Sequence, residues 1–139
     1  MILPDKDDHA IYRVIDANLN RLREALRVIE EFFRFIVNSK EKCAELKLLR
    51  HSIINLENGF GLNNLLDSRD TASDPFANKN RKEELKRTDD KSILLANFKR
   101  SQEAARVIEE YAKITDHAYL SEKAKIIRFS LYNMEKEML

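Results

Sequence analysis

Residues 17–35 read ANLNRLREALRVIEEFFRF, and residues 96–114 read ANFKRSQEAARVIEEYAKI. At an offset of 79, from 17 to 96, ten of the nineteen positions are identical, and Phe32/Tyr111 and Arg34/Lys113 are near matches. A second match follows at an offset of 78, with LRHSIINLE at 49–57 against IRFSLYNME at 127–135. Self-similarity at a fixed spacing marks a structural repeat. The chain therefore reads as a tandemly duplicated helical hairpin, with repeat 1 over 10–57, a connecting loop over 58–88 and repeat 2 over 89–136.

Within the first repeat, Ile11, Ile15, Leu22, Leu26, Ile29 and Phe33 recur at the spacing of one helical face, widened by Ala25, Val28, Phe32 and Ile36. This predicts a first helix over Asp8–Val37 and a second from Ser39 or Lys40 to Glu57. A third helix is expected after the N-cap candidates Asp89 and Asp90, ending near Thr115–His117, and a fourth reaches the C-terminus. Two hairpins with apolar stripes bury them by packing together with approximate two-fold symmetry. The expected fold is an all-α four-helix bundle in a single domain.

Composition narrows the class further. With only 2 Gly and 2 Pro in 139 residues, no glycine-rich phosphate loop can be built, and the turns of an all-β fold are missing. No apolar run approaches a membrane span and no signal sequence opens the chain, so no membrane role is expected. A single cysteine, Cys43, fits a reducing cytoplasm. Lys+Arg at 25 against Asp+Glu at 24 gives no overall attraction to nucleic acid.

Gly59, Gly61 and Pro75 punctuate the connection, which also carries Ser68-Arg69-Asp70-Thr71 and Asp74; a short helix is expected at 81–87. Connections of this length are uncommon in compact domains unless they are functional or disordered. Asp70 and Asp74 suit either an Asx-rich turn or the positioning of Mg²⁺, which needs only one or two protein carboxylates.

Three further features stand out. Asn18 falls inside the apolar arc with Arg21 at its edge, and their repeat partners are Asn97 and Arg100. The amides either fix helix register or bind polar groups of a ligand inside the bundle. A polar stripe of Asp16, Asn20, Arg23, Arg27, Glu30 and Arg34 reads either as a solvated face or as an anion-binding row. Arginine dominates the duplicated motifs, while lysine is spread through the connection and termini. The planar guanidinium suits phosphate. His9, His51 and His117 are scattered, and His51, opposite Phe129, reads as a packing residue.

Three separated motifs in order then carry a family resemblance: YRVIDANLNRLREALRVIEE at 12–31, SRDT at 68–71 with Asp74, and ANFKRSQEAARVIEEYAK at 96–113. Together they resemble the small hydroxymethylpyrimidine phosphate kinases of thiamine biosynthesis, which are similar to a domain often fused in front of thiamine phosphate synthase. The resemblance covers residues 10–136. It implies transfer of the ATP γ-phosphate to 4-amino-5-hydroxymethyl-2-methylpyrimidine phosphate, with ATP and Mg²⁺ as cofactors. An ionised phosphate attacks without a dedicated base, so cations would neutralise the repulsion between the anions.

Position by position, the resemblance implies catalytic roles for Arg27, Arg69 and Arg106. Substrate or ATP binding would fall to Asp16, Asn18, Asn20, Arg21, Glu30, Asn97, Arg100 and Glu103. Asp70 and Asp74 would hold the metal. Glu30 and Glu109 read alternatively as partners that aim the arginines. After Asp74, Pro75-Phe76 departs from the Val-Gly-like continuation expected of the family. The competing reading is a non-catalytic helical module that docks to a thiamine-pathway enzyme such as thiamine phosphate synthase. A monomeric bundle and a homodimer with a shared site both remain open.

Overall fold

A computed structural model describes residues 1–78 and 86–138. Among them every regular element is helical: α1 (Asp8–Glu31), a π-helical turn (Phe32–Ile36), α2 (Lys40–Phe60), α3 (Leu62–Ser68), α4 (Asp90–Ala112) and α5 (Leu120–Glu137). Among the described residues no helix is long and apolar enough to cross a membrane.

The caps explain most of the boundaries. Asp7 Oδ1 accepts from the His9 and Ala10 amides and starts α1. At its far end Asn38 takes a left-handed φ of 59°, and the Ser39 amide donates to the Phe33 carbonyl at 2.8 Å. This closure spans one residue more than the usual six-to-one motif, in keeping with the π-helical last turn, and ends the helix without glycine. Ser39 Oγ then caps α2 by accepting from the Lys42 amide. Asp89 and Ser92 form a reciprocal capping box at the start of α4.

The four long helices enclose one apolar core. Ile11, Ile15, Leu19, Leu22, Leu26, Ile29 and Phe33 of the first repeat pack with Leu46, Ile53 and Leu56 of α2, Phe98 and Ile108 of α4, and Ile127 and Leu131 of α5. The most extensive helix pairing is α1 on α4, followed by α4 on α5. The two equivalent helices of the duplication thus lie side by side.

Several expectations are corrected. Val28 and Ile36, placed on the apolar stripe, are exposed, and so are His51 and its counterpart Phe129. The connection is shorter than expected, because α2 runs on to Phe60 and α3 occupies 62–68. Gly59 therefore lies inside a helix. A Cβ there would meet both Leu120 δ-carbons at 2.9 Å, so glycine permits the close approach of α5. Gly61, at φ +93°, makes the turn into α3. The helix expected at 81–87 falls on residues 81–85, outside the described residues, while Lys86 and Arg87 are not helical.

A cluster at one end joins the repeats. Tyr12 Oη lies 3.1 Å from His117 Nδ1, whose ring packs edge-on against Phe60. Burial first, then the Asp116 and Asp8 carboxylates, push the Tyr12 phenol above its ordinary range. As pH rises past about 10 the unfolded chain ionises first, so this group withdraws stability on the alkaline side and none below it. Urea midpoints measured from pH 8 to 11 are expected to fall less steeply in Tyr12→Phe than in the parent chain.

Candidate functional site

The polar stripe of α1 is not a solvated face along its length. Asp16 and Glu30 are buried at 5% and 8% exposure, and each is held by an arginine from elsewhere. Arg69, just after α3, grips Asp16 in a fork, Nε to Oδ2 and Nη2 to Oδ1, both at 2.8 Å. Planar bidentate pairing of this kind fixes direction as well as distance. It pins the connecting loop to α1, helped by Arg13 donating to the Asp70 carbonyl at 3.1 Å and by His9 Nε2 at 3.1 Å from the Asp67 carbonyl.

The duplication reappears in the ion pairs inside each hairpin. Arg50 of α2 donates to Glu30 at 2.9 Å, and its counterpart Arg128 of α5 donates to Glu109 at 2.9 and 3.2 Å. Likewise Arg23 contacts Glu57, while Lys99 and Gln102 contact Glu135 at 3.0 and 3.3 Å. The stripe therefore fastens the first helix of each repeat to the second.

Two clefts gather most of the remaining candidates. One, of about 740 Å³, opens between α1 and α4. Its walls are Asn18, Arg21, Glu24, Ala25 and Val28 from α1 and Asn97, Arg100, Glu103, Ala104 and Val107 from α4. Every residue on one wall is the repeat partner of one on the other, so the cleft lies on the pseudo-two-fold axis. Asn18 Nδ2 donates to the Val14 carbonyl at 2.9 Å and Asn97 Nδ2 to the Ile93 carbonyl at 2.8 Å. With the amide nitrogens occupied in this way, each Asn offers its Oδ1 as an acceptor. Arg21 Nη1 already sits 3.4 Å from Asn18 Oδ1, whereas Arg100 makes no hydrogen bond or ion pair among the described residues.

The second cleft, of about 430 Å³, adjoins the first through Glu24. It brings Asp16, Asn20, Arg69, Asp70 and Asp74 together with Arg13. Asp70 Oδ1 accepts from the Ser73 amide at 3.0 Å and Asp74 Oδ1 from the Phe76 amide at 2.9 Å, so both loop carboxylates also shape an Asx-type turn. Among the described residues no group of three or more His, Cys, Asp or Glu side chains converges as a metal set.

Arg27 and Arg106, expected at the chemistry, line neither cleft. Both are 54% exposed and pair along their own helix, Arg27 with Glu30 and Glu31 and Arg106 with Glu109 and Glu110. Glu30 is likewise outside both clefts. Glu24 was missed by sequence reasoning, although Glu103, its partner at the repeat offset, pointed to it.

Fold and site together describe an all-α protein whose two repeats share a polar cleft on their symmetry axis. The chain belongs to the ThiD2 family, whose model matches residues 13–137. It is 39% identical over 129 residues to a thiamine-phosphate synthase of Nostoc sp. (strain PCC 7120 / SAG 25.82 / UTEX 2576), covering 93% of this chain and 35% of that protein. A thiamine-phosphate synthase of Thermosynechococcus vestitus is 39% identical over 137 residues, 99% of this chain and 38% of the relative. The chain thus spans little more than a third of the length of these relatives. No solved structure matches it.

These names correct the functional expectation. Relatives 37–39% identical over most of the chain are called thiamine-phosphate synthases. The reading as an ATP-dependent pyrimidine phosphate kinase is therefore set aside. The link to thiamine biosynthesis stands.

Proposed function

We propose that this chain serves thiamine biosynthesis by binding the pyrimidine monophosphate, 4-amino-5-hydroxymethyl-2-methylpyrimidine phosphate, in the cleft between α1 and α4. The observation that carries this reading is the paired wall of that cleft, which sets an acceptor, a cation and a carboxylate from each repeat around one space. Asn18 and Asn97 Oδ1 accept N–H groups of an aminopyrimidine, and Arg100, with Arg21 beside it, neutralises the phosphate. Val28 and Val107 supply apolar surface for the flat ring. The relatives' name supports a thiamine-pathway ligand, and association with a thiamine-phosphate synthase belongs to the same reading.

The test is ¹⁵N NMR of the side-chain amides during titration with the monophosphate. The Asn18 and Asn97 NH₂ resonances are expected to shift together and to saturate. Shifts that spare both asparagines would place the ligand elsewhere and end this reading.

A further inference from the structure

The duplication supplies an internal comparison between the two ends of the bundle. Where α4 turns into α5, the His117 ring closes the corner: Tyr12 Oη lies 3.1 Å from its Nδ1, and Phe60 packs against it edge-on. Beside it the Leu120 amide donates to the His117 carbonyl at 3.0 Å, and the Leu120 side chain presses on Gly59. The repeat offsets carry these four neighbours to the opposite end. Tyr12 corresponds to Lys91 at an offset of 79, and Phe60, Leu120 and Gly59 correspond to Met138, Lys42 and Glu137 at an offset of 78.

There all four counterparts line one open cleft, of about 600 Å³. No ring stands in for His117 in the turn Val37-Asn38-Ser39, and the Lys42–Glu137 ion pair replaces the close contact of Leu120 with Gly59. Phe33 and Leu94, 5% and 2% exposed, make a floor continuous with the core, while Val37 and Leu95 leave apolar surface at the mouth. Phe32 and Phe33 belong to the π-helical turn, which has no counterpart at 111–115. Such turns break helical regularity and recur at functional sites. Lys91, in the first turn of α4, forms no hydrogen bond or ion pair among the described residues. A cation there opposes the helix dipole, so α4 itself gains nothing from it.

We propose that this open corner is a second binding site, for a small flat ring that carries a carboxylate. The ring takes the place that the imidazole fills at the closed end, lying against Phe33, Leu94 and the Met138 thioether. Its carboxylate meets Lys91 as His117 Nδ1 meets Tyr12. Lys42, already held by Glu45 and Glu137, closes the side of the site and leaves Lys91 as its one available cation. The corner shares no lining residue with either cleft described above, so its test is independent of the pyrimidine reading.

The experiment is a methyl ¹H–¹³C NMR titration of the full chain with 2-naphthoate and, separately, with the uncharged 2-naphthylmethanol. Both are expected to shift the Met138 and Leu94 methyl signals saturably, with the carboxylate bound about threefold or more tightly, the size of an exposed ion pair. Lys91→Ala, a surface change, is expected to bring the carboxylate down to the affinity of the alcohol and to leave the alcohol's binding as it was. Leu95→Trp, which fills the cleft from a position 40% exposed, is expected to abolish the binding of both. No saturable shift at Met138, equal affinity for the two probes in the parent chain, a carboxylate preference that survives Lys91→Ala, or undiminished binding in Leu95→Trp would overturn the proposal.

Discussion

Glu109→Ala is expected to lower folding stability by about 3–5 kcal/mol, because it strands a charged partner in the interior. Glu109 and Arg128 have side-chain exposures of only 5% and 12%, and two parallel hydrogen bonds join them. Removing the carboxylate deprives a little-exposed guanidinium of its bidentate partner, with the rings of Phe129 and Tyr132 packed against it. The duplicated position provides the control. Glu30→Ala removes one hydrogen bond from Arg50, which at 24% side-chain exposure is closer to water. Its cost is therefore expected to be clearly smaller. Urea unfolding followed by circular dichroism, with the slope checked for constancy, measures both. Equal losses in the two variants, or a loss under about 1 kcal/mol for Glu109→Ala, would mean the pair behaves as a surface salt bridge.

The second large effect concerns binding. Arg21→Ala combined with Arg100→Ala is expected to weaken the pyrimidine monophosphate about a hundredfold, since a hydrogen bond to a charged group contributes about 1.5–3 kcal/mol. Both residues are exposed, so stability should move by no more than about 0.5 kcal/mol. Arg100→Ala alone should account for more of the loss than Arg21→Ala, because Arg21 is partly held by Asn18. Arg27→Ala and Arg106→Ala should leave affinity close to that of the parent chain, as neither residue borders the cleft. Calorimetric titration of each variant separates these outcomes. A similar loss from the Arg27 and Arg106 changes would point to general electrostatic attraction in place of a built site.

Much of the architecture could be read from residues. The 79-residue offset exposed the duplication, and the cap residues Ser39 and Asp89 start helices where expected. The α1/α4 cleft was half legible, because Asn18, Arg21, Asn97 and Arg100 stood out as repeat partners inside or beside an apolar arc. What periodicity could not show was which neighbour each polar residue meets. Asp16 and Glu30 share the stripe of Arg27 and Arg34, yet they are buried, because Arg69 and Arg50 arrive from distant parts of the chain. Gly59 misled for a similar reason: local sequence suggests a break, while the approach of Leu120 makes glycine the residue the helix needs. That Arg50 meets Glu30 through one nitrogen while Arg128 engages Glu109 through two was not legible either, since the sequences give the same Glu–Arg pair in both repeats.

On the reading proposed above, the paired α1/α4 cleft binds the phosphorylated pyrimidine. Calorimetric titration of the parent chain with the monophosphate and, in parallel, with the unphosphorylated 4-amino-5-hydroxymethyl-2-methylpyrimidine tests it most directly. A saturable one-to-one isotherm is expected for the monophosphate, with binding about tenfold or more weaker for the compound without phosphate. No saturable heat with the monophosphate, or equal affinity for both compounds, would contradict it.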